Sequence, residues 1–245
     1  MNYNLFINYW SSSDTNRNKE VLDTIESNLK TNIFDKITIF TEIDSVKDLN
    51  KFKNKCEIIV ESRRMYQDIF DYCNTFFSST TDINVLANSD IEFDETIKLL
   101  NHITENDFIA LTRYNRPDNK IQESALKGNI SDSQDVWCWK GKIRLIGCNY
   151  YLGIPGCDNK IAFNAFDQGY DVRNPSLSVI TYHNHTTDSR TGTSKILNMR
   201  LERPYCFLKT TKLNEEYVII TEELKTIPKL FLIKENEWKL LKEKI

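Results

Sequence analysis

The acidic residues best placed to do chemistry follow an apolar run: Ile83-Asn84-Val85-Leu86-Ala87 leads straight into Asn88-Ser89-Asp90-Ile91-Glu92-Phe93-Asp94. Along an extended segment side chains alternate, so Asn88, Asp90 and Glu92 would share one face while Ser89, Ile91 and Phe93 take the other. Two carboxylates and an amide on one face offer the hard oxygen ligands that Mg²⁺ or Mn²⁺ takes. The same spacing serves a plain polar strand end at the surface equally well. Asp94 reads differently: it precedes Glu95-Thr96-Ile97, where a helix should start, and its side chain suits a helix cap.

Only three histidines are present, His102, His183 and His185, so chemistry that needs an imidazole has few candidates. In Tyr182-His183-Asn184-His185 the two rings would project to one side of an extended chain, two residues apart. Asp158 follows Ile154-Pro155-Gly156-Cys157 and precedes Ile161, Ala162, Ala165 and Phe166, which places it at or near a helix N-terminus. There it serves as an N-cap, and the helix end would lower its pKa and weaken it as a base. Arg63 and Arg64 stand before another helix, facing solvent or touching a base or phosphate. Trp137 and Trp139 offer apolar faces suited to a core or to a sugar.

Elements that alternate between strand and helix must position these groups. Leu5-Phe6-Ile7, Ile37 to Phe40, Cys56 to Val60, Ile83 to Ala87 and Phe108 to Leu111 read as strands. Between them, Val21, Leu22, Ile25 and Leu29 mark one helix face after the capping run Asp14-Thr15-Asn16. Met65, Ile69, Phe70, Cys73, Phe76 and Phe77 mark a second, and Ile97, Leu100 and Ile103 a third. Alternating β and α units predict an α/β fold with a largely parallel sheet, whose strand carboxyl ends are the ligand-binding edge. Residues 112 to 156 read as a polar, irregular stretch of the kind that covers a substrate. A strand is expected at Ser178 to Thr181. Beyond Arg190 a few strands and a short terminal helix are expected, as a small appendage.

Composition excludes several classes. With 245 residues, 40% of them hydrophobic, the chain supports one substantial core. Thirty-two basic against 35 acidic residues, a net charge of −3, argue against a nucleic-acid partner held by a basic surface. No run approaches the roughly 18 apolar residues of a membrane span, and Met1 to Trp10 lacks the layout of a secretion signal. Six scattered cysteines without a Cys-x-x-Cys pair indicate free thiols in a reducing compartment, and the expected location is cytoplasmic. All seven glycines fall between Gly128 and Gly192, so no early strand-to-helix turn is a glycine-rich phosphate loop. Any bound diphosphate would need another anchor, such as a cation bridging it to a carboxylate.

The run Asn84-Val85-Leu86-Ala87-Asn88-Ser89-Asp90-Ile91 resembles the Asp-x-Asp region of GT-A glycosyltransferases, with Asn88 in place of the first acid. Arg63 to Phe70, Ser133 to Trp137 and Gly153 to Asn159 resemble the same group, and the likeness is nearest to a small set of bacterial and large-virus glycosyltransferase domains. It covers about residues 1–190, leaving 191–245 as a C-terminal extension. The resemblance implies a GT-A (Rossmann-like) catalytic domain with a mostly parallel central sheet flanked by helices. It further implies a nucleotide-sugar donor, UDP-sugar favoured, a Mn²⁺ or Mg²⁺ ion on the diphosphate, and a glycan or glycoprotein acceptor for hexosyl or deoxyhexosyl transfer. Asp90 would be the direct metal ligand, with His183 as the late histidine and His185 beside it. Asn8, Arg63, Asn88, Ser89, Asp90, Gln134, Asp135 and Trp137 would bind the donor, and Asp158 would orient or deprotonate the acceptor hydroxyl. Two alternatives share these features: a catalytically inert GT-A-like binding module, and a sugar nucleotidyltransferase that releases pyrophosphate.

Overall fold

The computed structural model describes residues 1–122, 130–131, 133–185, 200–213, 217–222, 229–234 and 237–241. The expected boundary near residue 190 lies outside them. In chain order the strands are β1 Tyr3–Tyr9, β2 Lys36–Thr41, β3 Glu57–Val60, β4 Ile83–Ala87, β5 Ile91–Phe93, β6 Asp107–Leu111, β7 Tyr114–Asn115 and β8 Lys120–Ile121. They continue with β9 Ile130–Ser131, β10 Val136–Lys140, β11 Asp171–Arg173, β12 Thr181–His183, β13 Tyr205–Lys209, β14 Tyr217–Glu222, β15 Lys229–Lys234 and β16 Glu237–Leu241. The α-helices among the described residues are α1 Thr15–Lys30, α2 Tyr66–Phe76 and α3 Cys157–Asp167.

The central sheet runs β11-β6-β10-β4-β1-β2-β3. It is parallel throughout except for β10, which runs antiparallel to both β4 and β6. The chain is therefore an α/β fold with a mostly parallel central sheet flanked by helices. Alternation in the buried strands sends Phe6, Phe40, Leu86, Phe108, Trp137 and Trp139 to the face that carries α2 and α3. Leu5, Ile7, Ile39, Val85, Ile109 and Cys138 go to the face that carries α1. Both faces are apolar because a sheet covered on both sides has no wet surface.

Local signals set the helices. The Asp14 carboxylate accepts from the Asn16 and Arg17 backbone N–H groups and starts α1 at the carboxyl end of β1. In α2, Tyr66, Ile69, Phe70 and Cys73 are all buried, the stripe of a helix lying on a sheet. At the start of α3, Gly156 has φ of +86°, and a Cβ there would stand 2.7 Å from the Tyr205 hydroxyl, so the turn needs glycine twice over. Ile97, Leu100 and Ile103 are buried as expected, but Glu95–His102 forms a 3₁₀ helix. Their spacing of three residues is the 3₁₀ period itself. Asp94 caps it, accepting from the Thr96 N–H at 2.9 Å.

Three expectations need correction. Val136 to Lys140 is no part of a covering loop: it is a central strand, and its two tryptophans escaped a pattern reading because a doubly buried strand shows no polar alternation. The strand expected at Ser178 starts later, at Thr181, because Pro175 to Ser178 turn, with Ser178 N–H donating to the Pro175 carbonyl. The terminal segment read as helical is strand β16, paired antiparallel with β15 from Leu230↔Leu241 to Lys234↔Glu237. Hydrogen-bonding to a neighbouring strand overrides a weak local helix preference.

Beside the central sheet, β5-β12-β7-β8 form a small second sheet, and β16-β15-β14-β13-β9 a third. Through buried Tyr205, Cys206 and Leu208, β13 is part of the main core. All six cysteines are free thiols. No helix among the described residues is long and apolar enough to cross a membrane.

Phe70 is fully buried and packs edge-on against Trp139, with ring centroids 5.4 Å apart. Phe70→Ala should cost about 3–5 kcal/mol of unfolding free energy in urea titrations. Ile43→Ala, at a residue 72% exposed, should change it by less than about 0.5 kcal/mol.

Candidate active site

The site is assembled at the carboxyl ends of β1 and β4. After Ala87 the chain does not stay extended but turns through Ser89-Asp90, with Ile91 N–H donating to the Asn88 carbonyl at 3.3 Å. The common face expected for Asn88, Asp90 and Glu92 is thereby replaced by three separate environments. Asn88 turns to Asp135, its Nδ2 donating to Oδ1 at 2.7 Å. Glu92 accepts from Ser27, from Arg116 at 3.3 Å and from Asn184 at 3.2 Å. Asp90, only 8% exposed, points between α1 and β12.

Strand pairing brings the histidines to it. Because β12 runs antiparallel to β5 with His183 opposite Ile91, the Asn184 N–H donates to the Asp90 carbonyl at 3.0 Å. His183 Nε2 then lies 3.0 Å from Asp90 Oδ2. The His183 and His185 rings meet edge to face at 5.2 Å. Ligand atoms of Asp90, His183 and His185 all lie within 4.8 Å of one another, a group of three that could hold a metal ion. One carboxylate and two imidazoles fit a divalent transition ion such as Mn²⁺; Mg²⁺ favours an all-oxygen shell.

Arg17, unforeseen from sequence, completes the centre. It stands in the first turn of α1 and is 6% exposed, with Nη2 on Asp90 Oδ2 and Nη1 donating to the Asn184 carbonyl at 3.0 Å. Burial alone would raise the Asp90 pKa, but His183 and Arg17 outweigh it and hold the carboxyl well below the usual carboxylate range. A cleft of about 130 Å³ opens on Asp90 and Arg17, lined also by Trp10, Asn88, Ser89 and Gly153 among others. A larger cavity, about 220 Å³, lies at the opposite edge of the sheet beside Asp35, Lys36 and Glu57 and includes none of the clustered acid and histidine groups.

A second acidic group lies next to the first. Asp135 is gripped by Arg113, with Nη1 at 2.5 Å from Oδ2, and by Asn88. Burial opposes the Arg113 charge, yet Asp135 first, then Asp90 and Asp158, raise its pKa. All three acids are thus within electrostatic reach of one guanidinium. Asp158 is not the N-cap of α3, a position held by Gly156; its Oδ2 instead accepts from the Gln134 N–H at 3.2 Å. The expected lowering of its pKa is also reversed. Burial and the neighbouring Asp135 push it up to about 7, against the pull of backbone N–H groups from Gln134, Asp158 and Asn159.

The other predicted donor contacts divide. Ser89 lines the cleft. Arg63 lies behind it, its guanidinium 4.4 Å from the centre of the Trp10 ring and donating to the Leu152 carbonyl at 2.5 Å. Asn8 is buried and donates to the Arg64 carbonyl at 3.1 Å, so at this strand end it is Trp10 that reaches the cleft. Gln134 is buried beside Asp158, with Oε1 unpartnered. Trp137 is not brought to the cleft: it is 1% exposed and packs edge-on against Tyr66 at 5.2 Å.

No protein-family pattern matches the chain, and no curated protein sequence does. Among solved structures it is similar to 4-diphosphocytidyl-2C-methyl-D-erythritol synthase from Anaerococcus prevotii, at 11% identity and a TM-score of 0.47, over 80% of this chain and 93% of that one. A second synthase of that name matches at 10% identity and a TM-score of 0.45, over 83% and 94%. Residues 1–349 of Staphylococcus aureus TarS match at 11% identity and a TM-score of 0.36, over 57% of this chain and 47% of that one. Likenesses at this level assign no activity to the chain.

The raised pKa of Asp158 has a stability consequence. The folded state binds this proton more tightly than the unfolded chain, whose value is near the ordinary 3.8, so the contribution is fully present below that pH and is lost as pH rises through about 7. Asp158→Asn should therefore gain on the parent between pH 4 and pH 8, by up to roughly 4 kcal/mol. Denaturant titrations across that range should show the two curves diverging; parallel curves would contradict the assignment.

Proposed function

We propose that the chain is a metal-dependent glycosyltransferase of the GT-A kind, moving a sugar from a nucleoside-diphosphate sugar, UDP-sugar favoured, to a glycan or glycoprotein acceptor. The observation that carries this reading is the convergence of Asp90, His183 and His185 at the carboxyl edge of a parallel sheet, where Asp90 lines a cleft. That edge is where ligands bind in open α/β folds. With no glycine loop at the first turn, the donor diphosphate needs a cation to anchor it. A divalent ion held by Asp90, His183 and His185 would supply Lewis-acid stabilisation of the diphosphate charge that grows as the glycosidic bond breaks.

The chain's own groups supply the rest. Ser89 and Asn88 border the cleft beside Asp90 and suit hydroxyl groups of the donor, and Trp10, backed by Arg63, offers a flat face for the base. Asp158, with a pKa of about 7, is suited to take the proton of an acceptor hydroxyl, since a base works best when its pKa lies near the working pH. Arg113 fixes Asp135 next to it and limits the repulsion between the two acids. In this reading residues 1–190 carry the transfer site, and residues 191–245 extend it, with β13 packed into the same core.

Asp90→Ala should reduce donor hydrolysis and transfer by at least about a hundredfold while the protein still melts cooperatively. Full activity in that variant would end the proposal, and release of pyrophosphate in place of a nucleoside diphosphate would make the chain a nucleotidyltransferase. Two imidazole ligands predict higher activity with Mn²⁺ than with Mg²⁺ after chelation and reconstitution. Transfer should rise with pH through about 7 as Asp158 loses its proton, and Asp158→Asn should flatten that limb of the profile.

A further inference from the structure

Arg17 occupies an unusual place for a cation. Its guanidinium lies on Asp90 Oδ2, the same oxygen that His183 approaches at 3.0 Å, and it also lines the cleft. A metal ion bound by Asp90, His183 and His185 would bring a second positive charge into that space, and two cations sharing one buried carboxylate repel strongly. Arg17 is also incompletely satisfied where it stands. Its Nη atoms are taken by Asp90, Glu20 and Asn184, but Nε is buried without a partner. A buried guanidinium with a spare donor, beside an open cleft, has somewhere better to go once an anion arrives.

The geometry points to Arg17 as an exchangeable counter-cation: it neutralises Asp90 while the centre lacks metal, gives up Oδ2 when a divalent ion binds, and turns its freed fork onto the donor's diphosphate. This inference rests on the metal-dependent reading above and deepens it. Arg17 couples two binding events with opposite signs, weakening metal binding when the cleft is empty and strengthening binding of the diphosphate once metal is present. The planar guanidinium suits both tasks, since it forms paired hydrogen bonds to a carboxylate or to phosphate oxygens. Glu20 and the Asn184 carbonyl hold Nη1 in the centre as a pivot, so release from Asp90 does not require Arg17 to leave the site.

Calorimetric titration of the full chain with MnCl₂ alone, and then with UDP, GDP or dTDP at saturating MnCl₂, tests this with Arg17→Gln and Arg17→Lys. Arg17→Gln should bind Mn²⁺ about tenfold more tightly than the parent, because a competing charge is gone. It should bind the nucleoside diphosphate that the parent prefers about tenfold more weakly. Without metal its melting temperature should fall, since Asp90 is left uncompensated, and MnCl₂ should raise it by more than in the parent. Arg17→Lys keeps the charge but not the fork; it should bind Mn²⁺ with intermediate affinity and still lose diphosphate affinity. A folded Arg17→Gln or Arg17→Lys variant whose Mn²⁺ affinity is unchanged or lower overturns the inference while leaving the metal centre itself standing. Failure of both parent and variants to take up Mn²⁺ overturns the functional reading, and this inference with it.

Discussion

A carboxylate buried at the end of a parallel strand is costly unless opposite charge and hydrogen bonds surround it. Much of the local structure follows from meeting that demand at Asp90. Arg17 reaches it from the first turn of α1, which Asp14 starts at the end of β1. His183 reaches it from β12, whose pairing with β5 is fixed by register. Asn184, between the two histidines, is tied by its N–H to the Asp90 carbonyl, by its carbonyl to Arg17 and by its side chain to Thr24 and Glu92. The centre is therefore held by three elements from distant parts of the chain.

The neighbouring acids follow a different logic. Asp135 is paired directly with Arg113 and Asn88, whereas Asp158 takes its hydrogen bonds from backbone N–H groups, against burial and a like charge. Asp158 is consequently poised to exchange a proton near neutrality, beside a carboxylate gripped by a guanidinium.

Much of this was legible beforehand, for identifiable reasons. Alternating runs such as Leu5-Phe6-Ile7 and the stripe of Ile69, Phe70 and Cys73 mark a sheet and the helix that covers it, since burial imposes those periods directly; Phe76, counted in the same stripe, faces solvent instead. The strand-end acid and the His-x-His pair were visible as residue types. Their convergence was not, because Asp90 and His183 are 93 residues apart and only the β5–β12 register joins them. The core alternative holds for Trp137 and Trp139, but the strand that carries them was not legible, because a central strand buried on both faces has no polar alternation. Arg17 carries no sequence signal of its own among the polar residues of a helix start, although the Asp14 cap places that start at the ligand edge. Turning of the chain at Ser89-Asp90 also separated Glu92 from Asp90, which a strictly extended reading had put side by side.

The central claim is that Asp90, His183 and His185 together hold a divalent ion. Diffraction data collected at the manganese absorption edge, from crystals of the full chain equilibrated with MnCl₂, address it directly. The account predicts an anomalous peak bonded to one Asp90 carboxylate oxygen and to one nitrogen of each imidazole. Absence of a peak there, or a peak held by Asp135 and Asp158 in its place, would contradict it.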